Sequence, residues 1–105
     1  MVAPLYSKNG FDFYRLHELE SKYVNEAAEL LSDEWSARSA EGRIRILQAS
    51  SDALPIHFLV LEKALPIGHV KLCRCLGDSV AFYAESVVVA KTRRGKGLGK
   101  LMTRI

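Results

Sequence analysis

The feature that most constrains this chain is a valine run feeding a glycine-rich basic loop. Val87, Val88 and Val89 lead through Ala90, Lys91, Thr92 and Arg93 into Arg94, Gly95, Lys96, Gly97, Leu98 and Gly99. The pattern predicts a strand, a loop of the form R-x-x-G-x-G, and a helix opening near Gly97. Glycines let backbone approach a ligand closely, and the first helical turn leaves N–H groups without intrahelical partners. Such a loop suits phosphate oxygens. Charge points the same way: no acid follows Glu85, whereas Lys91, Arg93, Arg94, Lys96, Lys100 and Arg104 do, although the net charge is only +3. That basic tail fits the phosphates of a nucleotide cofactor or of a nucleic acid. A Walker loop is excluded because no G-K-[ST] closes the segment. A dinucleotide-binding unit is disfavoured, since there the loop follows the first strand of a parallel β-α-β unit.

Upstream, residues 11–16 read as a short aromatic strand behind a flexible start at residues 1–10. From Leu19, the apolar residues Tyr23, Ala27, Leu30 and Leu31 recur at helical spacing, predicting a helix to about Trp35. Residues 36–42 form a polar break. Ile44 and Leu47 mark a second, shorter helix ending near Ser50 and Ser51. The second half changes period, with apolar or alternating runs at residues 57–62, 67–75 and 80–89 separated by turn residues at 64–68 and 77–79. Short connections between consecutive strands imply an antiparallel meander. The expected class is α+β: a strand, two helices, a three-strand antiparallel meander and the start of a helix, with residues 1–105 forming one partial domain.

A 49% hydrophobic content with 26% charged residues excludes disordered and collagen-like classes. The longest apolar runs fall far short of the roughly 20 residues of a membrane span, and the first residues lack a secretory pattern. The expectation is a soluble, cytoplasmic protein with no membrane partner. Cys73 and Cys75 lie two apart, which in a strand puts both thiols on one face in a geometry too cramped for a routine disulfide. Two thiols alone make no zinc site. They read as buried, reduced strand cysteines, with no metal implied.

Residues 85–90 (ESVVVA), followed by Lys91, Thr92, Arg93 and the glycine loop, resemble the cofactor motif of the GNAT acetyltransferases. Residues 28–35 (AELLSDEW), 50–55 (SSDALP) and 68–74 (GHVKLCR) extend the likeness to the N-alpha-acetyltransferases that modify actin. The resemblance covers residues 18–102 and leaves 1–17 unassigned. It implies a GNAT-like fold and acetyl-coenzyme A as cosubstrate, with the pyrophosphate held by Arg94, Gly95, Lys96, Gly97, Leu98, Gly99 and Lys100. Val87, Val88 and Val89 would offer strand-edge hydrogen bonds to the pantetheine arm, and the Val88 N–H would face the developing oxyanion. The implied reaction is transfer of acetyl to the α-amine of an acidic protein N-terminus, actin or an actin complex, with no nucleic acid involved.

Around that reading stand simpler ones. Arg38 and Arg43 flank the break between the helices, where the resemblance implies a peptide groove and arginine contacts suit acidic residues; solvated surface arginines are the alternative. Trp35 ends an amphipathic helix and is either core or a platform beneath the substrate loop. Ser50, Ser51 and Asp52 either cap a helix or order the groove. A free α-amino group has a pKa near roughly 8, so base help is modest. Glu85, with the same side-chain parity as Tyr83 and Val87, lies where the resemblance implies a base and is assigned as the catalytic base, an edge-facing ion pair being the alternative. His57 and His69 are alternative bases, or hydrogen-bonded structural residues.

The family pattern continues past the glycine loop into a fifth strand, whereas this sequence stops at Ile105. The expectation is therefore a chain that is catalytically weak by itself. A noncatalytic fragment with a binding or regulatory role, or a basic module for nucleic acid or another anion, is the alternative. Clustering of the bases around glycines at one helix start favours the cofactor reading over a nucleic-acid face.

Overall fold

In the computed structural model, which describes residues 3–35, 39–74, 82–95, 97–98 and 102, the chain begins with a hairpin. Strands β1 (Tyr6–Lys8) and β2 (Phe11–Arg15) pair antiparallel across Asn9 and Gly10, whose φ values of 56° and 84° close a two-residue turn. Asn-Gly is the favoured sequence for that geometry. The flexible start read from the sequence thus contains a strand absent from that reading, and its signal was these two residues.

Helix α1 (Lys22–Glu34) follows a short 3-10 turn at Leu16–Glu18. Its buried stripe is Tyr23, Ala27, Ala28 and Leu31, the spacing of one helical face. Leu19 precedes the helix instead of opening it. Helix α2 (Ala40–Gln48) starts inside the expected polar break, because the Ser39 hydroxyl accepts from the Gly42 N–H at 3.1 Å and caps the first turn.

Strands β3 (Ile56–Glu62), β4 (Leu65–Arg74) and β5 (Phe82–Val89) complete a five-stranded antiparallel sheet in the order β1-β2-β3-β4-β5. The α+β class and the antiparallel meander match the sequence expectation. The β3–β4 connection is tighter than expected: Lys63 and Ala64, at φ 50° and 67°, form a two-residue turn, so β4 begins before Pro66.

Two apolar layers cover the sheet. Helices α1 and α2 pack Tyr23, Ala27, Leu31 and Leu47 against Tyr14, Leu59, Leu61 and Val88. On the opposite face Phe11, Phe13, Val60, Ile67 and Val70 meet Leu98 and Met102, which are helical. Burying large side chains on both faces is worth about 1.5–3 kcal/mol for each. It also packs Val87 and Val89 of β5, the last strand in the order, against the cluster that contains Leu98 and Met102.

Candidate active site

The register of β5 is broken at one point, and that break organises the site. His69 pairs with Val88 and Lys71 with Glu85, so one residue of β4 lies opposite two of β5, Ser86 and Val87. Ser86 has φ 53°, the left-handed conformation of a β-bulge. The extra residue switches side-chain parity. Glu85 therefore shares its face with Val88, not with Val87 as strict alternation had implied; Val87 and Val89 pack with the layer that contains Leu98 and Met102.

A cleft of about 480 Å³ opens on the helical face, lined by Trp35, Arg43, His57, His69, Lys71, Glu85 and Ser86 among others. Trp35 is 42% exposed, so it forms a wall of the cleft and not part of the core. Arg43, on α2, is buried, and its Nη2 donates to the Trp35 carbonyl. Its Nε is buried with no hydrogen-bond partner among the described residues. Arg43 thus places a buried guanidinium in the lining of the cleft.

Lys71 Nζ lies 3.1 Å from Glu85 Oε1, and Cys73 Sγ donates to the same oxygen at 3.6 Å. The Lys71 hydrogen bond holds the Glu85 carboxyl below its ordinary range, which makes it a weaker base than an unpaired glutamate. Cys73 is half-buried in β4, and Cys75 lies outside the described residues.

His57 and His69 are both buried. His57 Nδ1 lies 2.8 Å from His69 Nε2, and His69 Nδ1 lies 2.8 Å from the Ser86 carbonyl oxygen. Burial, above all, pushes His57 down to about 3 and His69 to about 4, so both are neutral near pH 7. They act as hydrogen-bonding groups rather than strong bases. Ser50 and Asp52 tie this wall to the rest of the fold. The Ser50 hydroxyl accepts from the His57 N–H at 2.9 Å and lies 2.8 Å from His17 Nδ1, while Asp52 Oδ1 lies 2.9 Å from His17 Nε2.

A second cleft of about 330 Å³ adjoins the first along β5, between Glu34 of α1, Val87, Val88 and Val89, and the loop residues Arg93, Arg94, Gly95, Gly97 and Leu98. Gly95 and Gly97 have φ 84° and 77°, and a Cβ added at either would meet no atom within 4 Å. These glycines therefore serve backbone conformation, and open space lies beside them. Arg94 Nε donates to the Val89 carbonyl at 3.0 Å and its Nη2 to Glu34, while Arg93 pairs with Glu62.

The structure thus brings Trp35, Arg43 and Glu85 together in one cleft and Val87, Val88, Val89, Arg94, Gly95, Gly97 and Leu98 in the next. Arg38, Lys96, Gly99 and Lys100 lie outside the described residues. Sequence reasoning missed Lys71, Ser86 and Glu34. Lys71 was accessible from its two-residue spacing to His69, which puts both on one strand face; Ser86 and Glu34 had no local signal.

No family model matches the chain. In sequence it is similar to N-alpha-acetyltransferase 80 of Mus musculus, 36% identical over 84 residues, which is 73% of this chain and 26% of that protein. The chain thus spans about a quarter of the length of this curated relative. Its backbone is similar to that of diaminobutyrate acetyltransferase from Paenibacillus lautus, solved with its substrate and coenzyme A (TM-score 0.66, 17% identity, 90% of this chain and 54% of that one). It is likewise similar to an aminoglycoside N-acetyltransferase in complex with coenzyme A (TM-score 0.71, 14% identity, 98% of this chain and 69% of that one). The chain therefore carries the GNAT acetyltransferase fold and is related in sequence to the N-alpha-acetyltransferases.

Proposed function

We propose that this chain supplies the acetyl-coenzyme A cleft and one wall of the amine groove for N-terminal acetylation of a protein. The observation that carries the reading is that consecutive residues of β5 line both clefts. Glu85 and Ser86 belong to the polar groove, and Val87, Val88 and Val89 to the glycine-loop cleft. Residues along a strand are about 3.3 Å apart, so groups bound in the two clefts meet across one or two residues.

The second cleft fits coenzyme A in kind. Left-handed glycines with open space beside them suit a pyrophosphate, and Arg93 and Arg94 supply charge. Lys96, Gly99 and Lys100 are assigned to the same loop from the sequence. β5 is the edge strand of the described sheet, so its outer backbone groups suit the amides of pantetheine. Bound acetyl-coenzyme A would supply the activated acyl group. In the groove, Glu85 accepts a hydrogen bond from the incoming amine and orients it, with the proton leaving through water because Lys71 holds Glu85 below its usual range. Trp35 walls the groove. Arg43 meets acidic side chains of the substrate, a role assigned to Arg38 from the sequence alone; an actin N-terminus is the candidate, on the resemblance stated above.

The test is titration calorimetry of the chain with coenzyme A, beside an Arg94→Gln, Gly97→Asp variant, with circular dichroism to verify folding. Mass spectrometry then reads acetylation of peptides with acidic and neutral N-termini. Saturable binding lost in the variant, with acidic peptides preferred, is the expected result. A folded chain that ignores coenzyme A and binds an oligonucleotide through Arg94 would overturn it in favour of a basic anion-binding module.

A further inference from the structure

His69 and His57 lie on one sheet face, paired in register with Leu59 and Lys71, and both are essentially inaccessible to solvent at 0% and 1% exposure. Their contacts have a direction that chemistry fixes. The Ser86 carbonyl only accepts, so His69 Nδ1 must carry the hydrogen. His69 Nε2 then holds a lone pair, and His57 Nδ1 must donate to it. The result is a one-way chain from His57 to His69 to the Ser86 carbonyl, which assigns both tautomers. It is anchored behind by the His57 N–H on Ser50 Oγ.

The carbonyl at the end of that chain belongs to the bulge. Ser86 is an L-residue at φ 53°, a conformation that its own side chain disfavours and that the surroundings must enforce. We infer that His69, oriented by His57, is a positioning residue for the second cleft: it pins the Ser86 bulge and thereby sets which of Val87 and Val88 faces the groove. The inference rests on the assignment of that cleft to coenzyme A. With the bulge pinned, Val88 lies on the face of Glu85 and Val87 on the opposite one. Without the His69 donor the part-buried carbonyl loses this partner and the bulge its tether to β4, and relaxation to a regular pleat would shift the register by one residue. A one-residue shift turns every following side chain to the other face.

The test exploits side-chain length. Asparagine at position 69 places its amide where Nδ1 was and keeps the donor to Ser86, whereas glutamine reaches towards His57 and loses it. Coenzyme A affinity by calorimetry, and amide hydrogen exchange at Ser86, Val87 and Val88 in the unliganded chain, are measured for wild type, His69→Asn, His69→Gln and the His69→Gln, Ser86→Gly double variant. Glycine adopts the left-handed conformation unaided, so Ser86→Gly is a rescue specific to bulge positioning. We expect H69N to resemble wild type, H69Q to bind about tenfold more weakly with faster exchange, and the double variant to recover in both. Equal exchange in H69N and H69Q, or no rescue by Ser86→Gly, would overturn the inference. A wild-type chain that does not bind coenzyme A would instead refute the cleft's assignment, while exchange still decides whether His69 pins the bulge.

Discussion

Glu34, the last residue of helix α1, accepts a hydrogen bond from Arg94 Nη2 and so ties the helix to the glycine loop. The pair lies at the second cleft, next to Trp35 of the first. An anion entering that cleft must compete with the Glu34 carboxylate for Arg94. Glu34→Gln is therefore expected to strengthen coenzyme A binding by about threefold, the scale of a partly exposed ion pair of about 0.5–1 kcal/mol. The gain should shrink as salt is raised. Calorimetry at two ionic strengths reads it; unchanged affinity at low salt would mean that the pair does not compete with the ligand.

Arg43 should separate stability from function. It is buried with an unsatisfied Nε, so replacement by methionine removes a desolvated charge while keeping most of the volume. Thermal unfolding of Arg43→Met is expected at or above the wild-type midpoint, and the preference for acidic over neutral peptides is expected to disappear. A strongly destabilised variant would show that the guanidinium is held by more than the Trp35 carbonyl.

Acid should weaken the fold through the histidine pair. Both pKa values fall from an ordinary 6.5 to about 3 for His57 and about 4 for His69, chiefly because burial disfavours the charged form. Above 6.5 neither folded nor unfolded chain is protonated there. As pH drops below 6.5 the unfolded chain gains protons that the folded chain refuses, so stability is lost until the folded values are reached. The slope is at most about 1.4 kcal/mol per pH unit for each histidine. Urea midpoints at pH 7, 6 and 5 should decline in wild type and decline less in His57→Gln; equal slopes would remove His57 as a source.

The β3–β4 turn offers a stabilising change far from the clefts. Ala64 has φ 67°, a conformation that costs an L-residue about 1–2 kcal/mol relative to glycine. Ala64→Gly is expected to raise the melting midpoint by several degrees, about 4–8 °C per kcal/mol for a domain of this size. Gly10→Ala, at φ 84°, should lower it. Changes in the opposite sense would mean that these turns relax without strain.

What the sequence determined by itself follows from local rules. The stripe of Tyr23, Ala27 and Leu31 specifies α1, alternation specifies the strands, and glycines after the valine run specify a loop suited to phosphate. These signals sit within a few residues of one another, and so period and composition report them. Tertiary structure decided the rest. The Ser86 bulge arises from register against β4 and breaks the shared parity with Val87 that was invoked for Glu85. Only packing brings Lys71 to Glu85, Arg94 to Glu34, and His69 to the Ser86 carbonyl. Each of these pairs joins different elements, and one of them, Glu34 with Arg94, spans 60 residues of sequence. A local pattern cannot encode such a contact, because its geometry is set by how sheet and helices stack.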